Sequence, residues 1–333
     1  APLYELTSIH GFLYFPQAAL FFLPFTPLPL PLGEVLWRLL SLGFLAYAVA
    51  KLVRHLRRER AGRPDAPWFV LLSFLVIPAS FASARNGQTN LALAAALLLA
   101  GLELIDRRWT TASLLLLLML ALKPIAAAPL LLAAAVHPPM RGRLALGLVV
   151  FVLLPFFFAP LHPGYVLDQY DLMIRKLKIA GSPDEHGFAD LGGLLWTFLG
   201  RPVPQATLHL VSAGAALGVL VLSFAAQRRD PRNGPLWLVG LAGAYLMLFN
   251  PRTEENSYVL LAAAALPFVA DAMATGRVKA TLALLPAVLL LGCDSYGDWI
   301  RPWAHLWLKP LLALAFLGYL MGRMGEKRGL FVR

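Results

Sequence analysis

Apolar runs approaching the thickness of a bilayer recur along this chain, divided by short polar or basic clusters. A spanning helix needs about 20 mainly apolar residues. The basic clusters are Lys51 to Arg63, Arg107 with Arg108, Arg141 with Arg143, Arg228 to Arg232, Arg277 with Lys279, and Arg323 to Arg333. Placing all six in the cytoplasm puts about 19 of the 29 Lys and Arg residues there, as the positive-inside rule favours. The apolar stretches then alternate in direction. Leaving the cytoplasm are 67–84, 109–122, 143–160, 235–250 and 280–293; returning are 33–53, 88–105, 124–137, 205–226, 257–273 and 307–324. The pattern predicts eleven crossings, two of them short and flanking Lys123 and Pro124.

Gly11 to Pro31 is a further apolar stretch, but Pro16, Pro24, Pro27, Pro29 and Pro31 argue against a regular crossing. It is expected to form a non-spanning helix on the outer face. An odd number of crossings leaves Ala1 outside, so one further helix is expected upstream of a sequence that begins without methionine. Between 161 and 204 lies a long outer loop. Within it Val166, Tyr170, Met173, Ile174 and Leu177 recur at helical spacing, with Asp168, Asp171, Arg175 and Lys178 elsewhere around the helix. This predicts an interfacial helix on the outer leaflet, carrying an Asp171–Arg175 pair.

Composition agrees with the pattern. The 333 residues are 59% hydrophobic and 14% charged, and mean hydropathy is +0.68. Soluble domains lack this balance, so the whole of 1–333 is read as one all-α polytopic membrane domain. The net charge of +11 reports topology rather than nucleic-acid binding. The single cysteine, Cys293, excludes an internal disulfide. His10, His55, His137, His162, His186, His209 and His305 are scattered without metal-ligand spacing, and no metal is expected.

The candidate chemistry gathers on the outer face. Lys123 is a cation at a proline break inside an apolar run, where charge is costly unless it meets protein, water or an anion. Such a cation suits a phosphate; the alternative is a lysine that snorkels to the interface. Arg85 to Asn90 joins two crossings through polar residues, with Gly87 supplying backbone freedom and Arg85, Asn86, Gln88 and Asn90 offering donors for phosphate or sugar hydroxyls. Asn250 to Tyr258 is a second such turn, in which Arg252 can fork onto phosphate while Glu254 and Asn256 hydrogen-bond a sugar. A solvated turn and a local Arg252–Glu254 or Arg252–Glu255 salt bridge are the plainer readings. The last outer loop holds Asp294, Asp298, Trp299, Arg301, Trp303, Trp307 and Lys309. Its tryptophans fit an interfacial belt, and Asp294 with Asp298 could serve as an acid–base pair.

In this order the segments resemble the GT-C superfamily of membrane glycosyltransferases, and within it glycosyltransferase family 87. Phe12 to Pro16 with the proline-rich helix after it resembles that family's Tyr-Pro-Pro segment. Asn86 to Asn90 is similar to its Gly-Gln-x-Asn turn, Ala121 to Pro124 to its Lys-Pro break, and Asn250 to Tyr258 occupies its late outer turn. The resemblance implies a GT-C-like bundle in the bacterial cytoplasmic membrane, with its site facing outward. It implies inverting transfer of a hexose, mannose above all, from a polyprenyl-phosphate donor to a lipid or glycan acceptor, without a metal or cofactor. Lys123 and Arg252 are the implied phosphate ligands, with Arg85, Asn86, Gln88, Asn90, Glu254 and Asn256 shaping the pocket. The family's base, an Asp in the first outer loop, falls upstream of Ala1. Some relatives carry histidine in the late turn, where this chain has Glu254, Glu255 and Asn256.

Two other classes fit a multi-spanning chain. A flippase for lipid-linked glycans should show repeated broken helices and midplane charges, whereas here one Lys-Pro break stands alone. An O-antigen ligase or polymerase should carry an outer loop rich in Arg and His, which 161–204 is not.

Overall fold

The computed structural model describes residues 3–7, 11–59, 67–181, 187–250, 252–297, 299–300, 304, 306–326 and 329–331. Ala1, His10, Arg63, His186, Asp298, Arg301, Trp303, His305 and Arg333, named above, lie outside the described residues. Among the described residues the fold is helical, with fourteen α-helices, several short 3-10 turns and no strand.

Eleven helices coincide with the eleven predicted crossings. They are α2 (Leu30–Glu59), α3 (Trp68–Arg85), α4 (Asn90–Ile105), α5 (Trp109–Leu122), α6 (Ala127–Val136), α7 (Arg141–Phe158), α10 (Gln205–Arg229), α11 (Gly234–Phe249), α12 (Val259–Ala274), α13 (Val278–Leu290) and α14 (Leu308–Gly325). Five apolar segments, those of α2, α3, α7, α10 and α12, are long and apolar enough by themselves to cross a membrane; α4, α5, α6, α11 and α13 are shorter apolar helices. The chain is a polytopic membrane protein.

The innermost helices are apolar on every face. Helices α4, α11 and α12 are buried almost throughout and pack on one another, with α2, α3, α5, α6, α10, α13 and α14 around them. A helix apolar on all sides belongs in such a core. Close approach depends on small residues where side-chain packing replaces a hydrophobic drive. A Cβ at Gly101 would sit 2.4 Å from Val239 Cγ2, so this glycine sets the α4–α11 spacing.

The two ends of the bundle differ in chemistry. At one end the basic clusters meet carboxylates: Lys51 with Glu103, Arg232 with Glu59 (2.6 Å) and Arg277 with Glu326 (2.7 Å). There the buried Asp271 accepts from the backbone N–H of Phe331 (2.6 Å) and faces buried Arg323 (3.4 Å), docking the C-terminal segment against the bundle. That docking has no signature in hydropathy. The opposite end carries the polar turns.

The proline-rich stretch forms only α1 (Pro16–Phe22) and a 3-10 turn (Leu23–Phe25). At about 1.5 Å per residue α1 is far too short to span. Helix α8 (Pro163–Gly181) occupies the predicted amphipathic segment, and its Asp171–Arg175 pair forms at 2.8 Å. Its buried face differs from the expected apolar stripe. Val166, Gln169, Met173, Lys176 and Ala180 are buried, while Leu167 and Ile174 are exposed. The N-terminal segment covers the helix and satisfies its polar groups. Gln169 Oε1 accepts from Leu3 N (2.9 Å), and Lys176 Nζ donates to Glu5 O (2.5 Å). Helix α9 (Leu191–Leu199), capped by Asp190 and ended by Gly200 at φ +65°, was not predicted. Its cap residues were visible, but Gly192 and Gly193 inside it masked the pattern.

Candidate functional site at the polar end

The centre of this end is the amide of Asn90, the first residue of α4, which is fully buried. Its Nδ2 donates to Gln88 Oε1 (2.9 Å) and Asn256 Oδ1 (2.9 Å), with Ser83 Oγ farther off at 3.3 Å. An amide has two hydrogens, so the shorter bonds dominate. Its Oδ1 accepts from Lys123 Nζ at 2.7 Å. One side chain thus joins both predicted polar turns and the Lys-Pro break.

Lys123 reaches Asn90 because the backbone breaks there. Helix α5 ends at Leu122, Lys123 is extended (φ −154°, ψ 133°), and Pro124 opens a 3-10 turn leading into α6. Proline removes a helix hydrogen bond and disfavours helical geometry at the residue before it. The lysine is half-buried and hydrogen-bonded across helices. Its anchoring to Asn90 removes the snorkelling alternative.

The first turn is shaped from α2, through residues that the sequence reading did not single out. Trp37 Nε1 donates to Gly87 O (2.9 Å), and Arg38 donates to Ala84 O (3.1 Å) and Arg85 O (3.2 Å). These bonds satisfy carbonyls that the end of α3 leaves open. Gly87, at φ +63°, reverses the chain so that Gln88 and Asn90 point inward. Gln88 Nε2 then donates to Glu254 Oε2 at 3.2 Å. The Arg85 and Asn86 side chains are exposed and make no hydrogen bond in this cluster among the described residues.

The second turn is held from three directions. Ser83 Oγ donates to Asn256 O (2.8 Å). From the outer loop, Ala189 N donates to Thr253 O and Tyr258 Oη donates to Ala189 O, both at 2.8 Å. From α14, buried Lys309 Nζ donates to Glu255 O (2.9 Å) and pairs with Asp294 Oδ1 (2.5 Å). Asp294 is therefore engaged with Lys309, which displaces its reading as half of an acid–base pair. Arg252 lies over the Phe188 ring at 5.2 Å. Burial draws its guanidinium below the ordinary value while Glu254 opposes this, and arginine stays charged. Tyr14 stands beside Glu254; burial, then that carboxylate, push its phenol up, leaving a neutral donor.

Asp190 borders the same turn. Burial pushes its carboxyl up to about 6 against backbone hydrogen bonds, the first from Gly193. Its Oδ1 accepts from Gly193 N at 2.9 Å, the geometry of a helix cap.

Six of the eight expected residues, Gln88, Asn90, Lys123, Arg252, Glu254 and Asn256, therefore occupy one end of the bundle around two turns and a helix break, with Arg85 and Asn86 at its rim. Two cations beside one carboxylate, ringed by amides, can hold an anion and several hydroxyl groups. The sequence model of glycosyltransferase family 87 matches residues 12–251. The match takes in Tyr14, Gln88, Asn90 and Lys123 and stops at the edge of the turn carrying Arg252, Glu254 and Asn256. A comparison with curated proteins gave no match.

Proposed function

From the premise that this chain belongs to glycosyltransferase family 87, and is thus a membrane glycosyltransferase, we propose that it transfers a hexose, mannose first, from a polyprenyl-phosphate donor. The acceptor is a lipid or glycan. The reaction takes place on the outer face of the bacterial cytoplasmic membrane, the side away from the basic clusters. Residues 1–333 act as one integral domain.

The observation that carries this reading is the Lys123–Asn90 bond at the helix break, with Arg252 and Glu254 beside it. Lys123 and Arg252 hold the donor phosphate. As the anomeric C–O bond breaks, the phosphate gains charge and leaves as polyprenyl phosphate. Fixed cations then stabilise the transition state more than the ground state. Attack by the acceptor oxygen from the opposite side inverts the anomeric centre. The acceptor's proton passes to a carboxylate base, as the family resemblance implies. Gln88, Asn90, Glu254 and Asn256 orient the sugar, and Arg85 and Asn86 form the rim. The scheme asks for no metal or cofactor.

An apolar groove supports a lipid-linked donor. Ala128, Leu131 and Ala135 of α6, Val219 of α10, and Ala242 and Tyr245 of α11 border a cavity of about 460 Å³. Ala128 follows Lys123 by five residues, just past the 3-10 turn at the start of α6. An isoprenoid chain can leave the phosphate directly into this groove.

The test is transfer by the full-length protein in liposomes, offered radiolabelled polyprenyl-phosphate mannose or nucleotide-linked mannose with membrane lipid acceptors. Labelled product from the lipid donor alone supports the proposal. Turnover confined to the nucleotide donor sinks it.

A further inference from the structure

The basic end carries its own cluster of cations around a cleft, away from the polar turns. Helix α2 has 30 residues, about 45 Å, against roughly 30 Å of hydrocarbon. Lys51 lies about 32 Å along it from Leu30, so the turns after Lys51 stand at headgroup depth. Tyr47, Lys51, Arg54 and Arg58 follow at i, i+4, i+7 and i+11, one narrow face of the helix. Leu36 and Leu40 continue that stripe toward the bilayer centre, and Leu40 and Tyr47 are 60% and 51% exposed. The face is therefore apolar where acyl chains lie and cationic where phosphates lie.

Asp106 and Arg108, from the turn between α4 and α5, complete a polar cavity of about 110 Å³ with these residues. Lys51 is committed to Glu103. Arg58 stands 3.6 Å from Asp106 and Arg108 3.8 Å from Glu103, longer than hydrogen bonds, and both guanidinium groups are largely exposed. Arg54 lies over the Tyr47 ring at 5.6 Å. Four cations face two carboxylates and the C-terminal ends of α2 and α4, each equivalent to about half a negative charge. The surplus is about one positive charge, which matches a phosphodiester.

We propose that this cleft binds the phosphate of an anionic glycerophospholipid, with an acyl chain along Leu36, Leu40 and Tyr47. Arg54, Arg58 and Arg108 fork onto the phosphate oxygens, as cationic pockets between membrane helices do for lipid headgroups. This site stands independently of the donor assignment.

The test is native mass spectrometry of the full chain released from nanodiscs containing equal phosphatidylglycerol and phosphatidylcholine. The parent should retain one phosphatidylglycerol, and Arg54→Gln/Arg58→Gln should lower that retention about tenfold. A charge-matched control, Arg228→Gln/Lys279→Gln, alters exposed residues elsewhere on the basic end and should leave it unchanged. Equal loss in both variants would reveal diffuse attraction, and no preference for phosphatidylglycerol would reveal no site; either overturns the proposal. A further arm adds millimolar inorganic phosphate. Unaltered lipid retention supports a lipid site, and displacement of the lipid would reassign the cleft to a free anion and overturn it.

Discussion

If Asn90 is the joint between Lys123 and both polar turns, removing it and removing the lysine should not be independent events. The perturbations are Asn90→Ala, Lys123→Met and the double variant, compared for unfolding by titrated denaturant in mixed micelles. Asn90→Ala deletes the acceptor of the 2.7 Å bond from Lys123 and the donors to Gln88 and Asn256. Interhelical hydrogen bonds in a membrane protein average about 0.6 kcal/mol by double-mutant cycles. A bond with one charged partner is about twice as strong as a neutral one. The Lys123–Asn90 coupling should therefore be about 1–2 kcal/mol, and Asn90→Ala should cost more than Lys123→Met because it also strands two half-buried acceptors. Two single effects that sum to the double effect within about 0.3 kcal/mol would refute the joint.

Further predictions concern the groups around the second turn. Burial raises the Asp190 carboxyl to about 6 in the folded protein. The ionised form is thus disfavoured by folding, so its destabilising effect is present above about pH 6 and relieved as pH falls toward its unfolded value near 4. Asp190→Asn keeps a competent cap and should raise the unfolding midpoint at pH 7.5, with the gain vanishing near pH 4 in a pH-resolved melting series. Lys309→Met strands Asp294 in a buried site and should cost about 3–5 kcal/mol, while Lys309→Met/Asp294→Asn should recover much of that loss in the same unfolding assay. Both Lys309 variants should show faster hydrogen exchange in residues 253–258, because the bond to the Glu255 carbonyl is gone.

Much of this architecture was legible because bilayer physics writes it plainly. Spanning length and charge asymmetry placed eleven helices, and α5 ends at Leu122 because Lys123 and Pro124 forbid its continuation. Grouping Gln88, Asn90, Lys123, Glu254 and Asn256 followed from topology together with the family resemblance, since all lie at the same end of the bundle. What escaped depended on tertiary partners. Trp37 and Arg38 look like ordinary members of α2, and only the folded chain shows them closing the end of α3. The buried face of α8 was misjudged because Gln169 and Lys176 are polar by type, yet backbone groups of the N-terminal segment satisfy both. Lys309 was read with the outer-loop residues, but no spacing rule pairs it with Asp294 beneath the second turn.

The central claim is that Lys123 binds the phosphate of a lipid-linked sugar. Its most direct measurement compares dissociation constants of polyprenyl phosphate and the uncharged polyprenol of equal length, for the parent protein and Lys123→Met. The account predicts that the phosphate form binds the parent at least about tenfold more tightly, a difference of about 1.4 kcal/mol, and that Lys123→Met removes most of that preference. An undiminished preference for phosphate in Lys123→Met would contradict it.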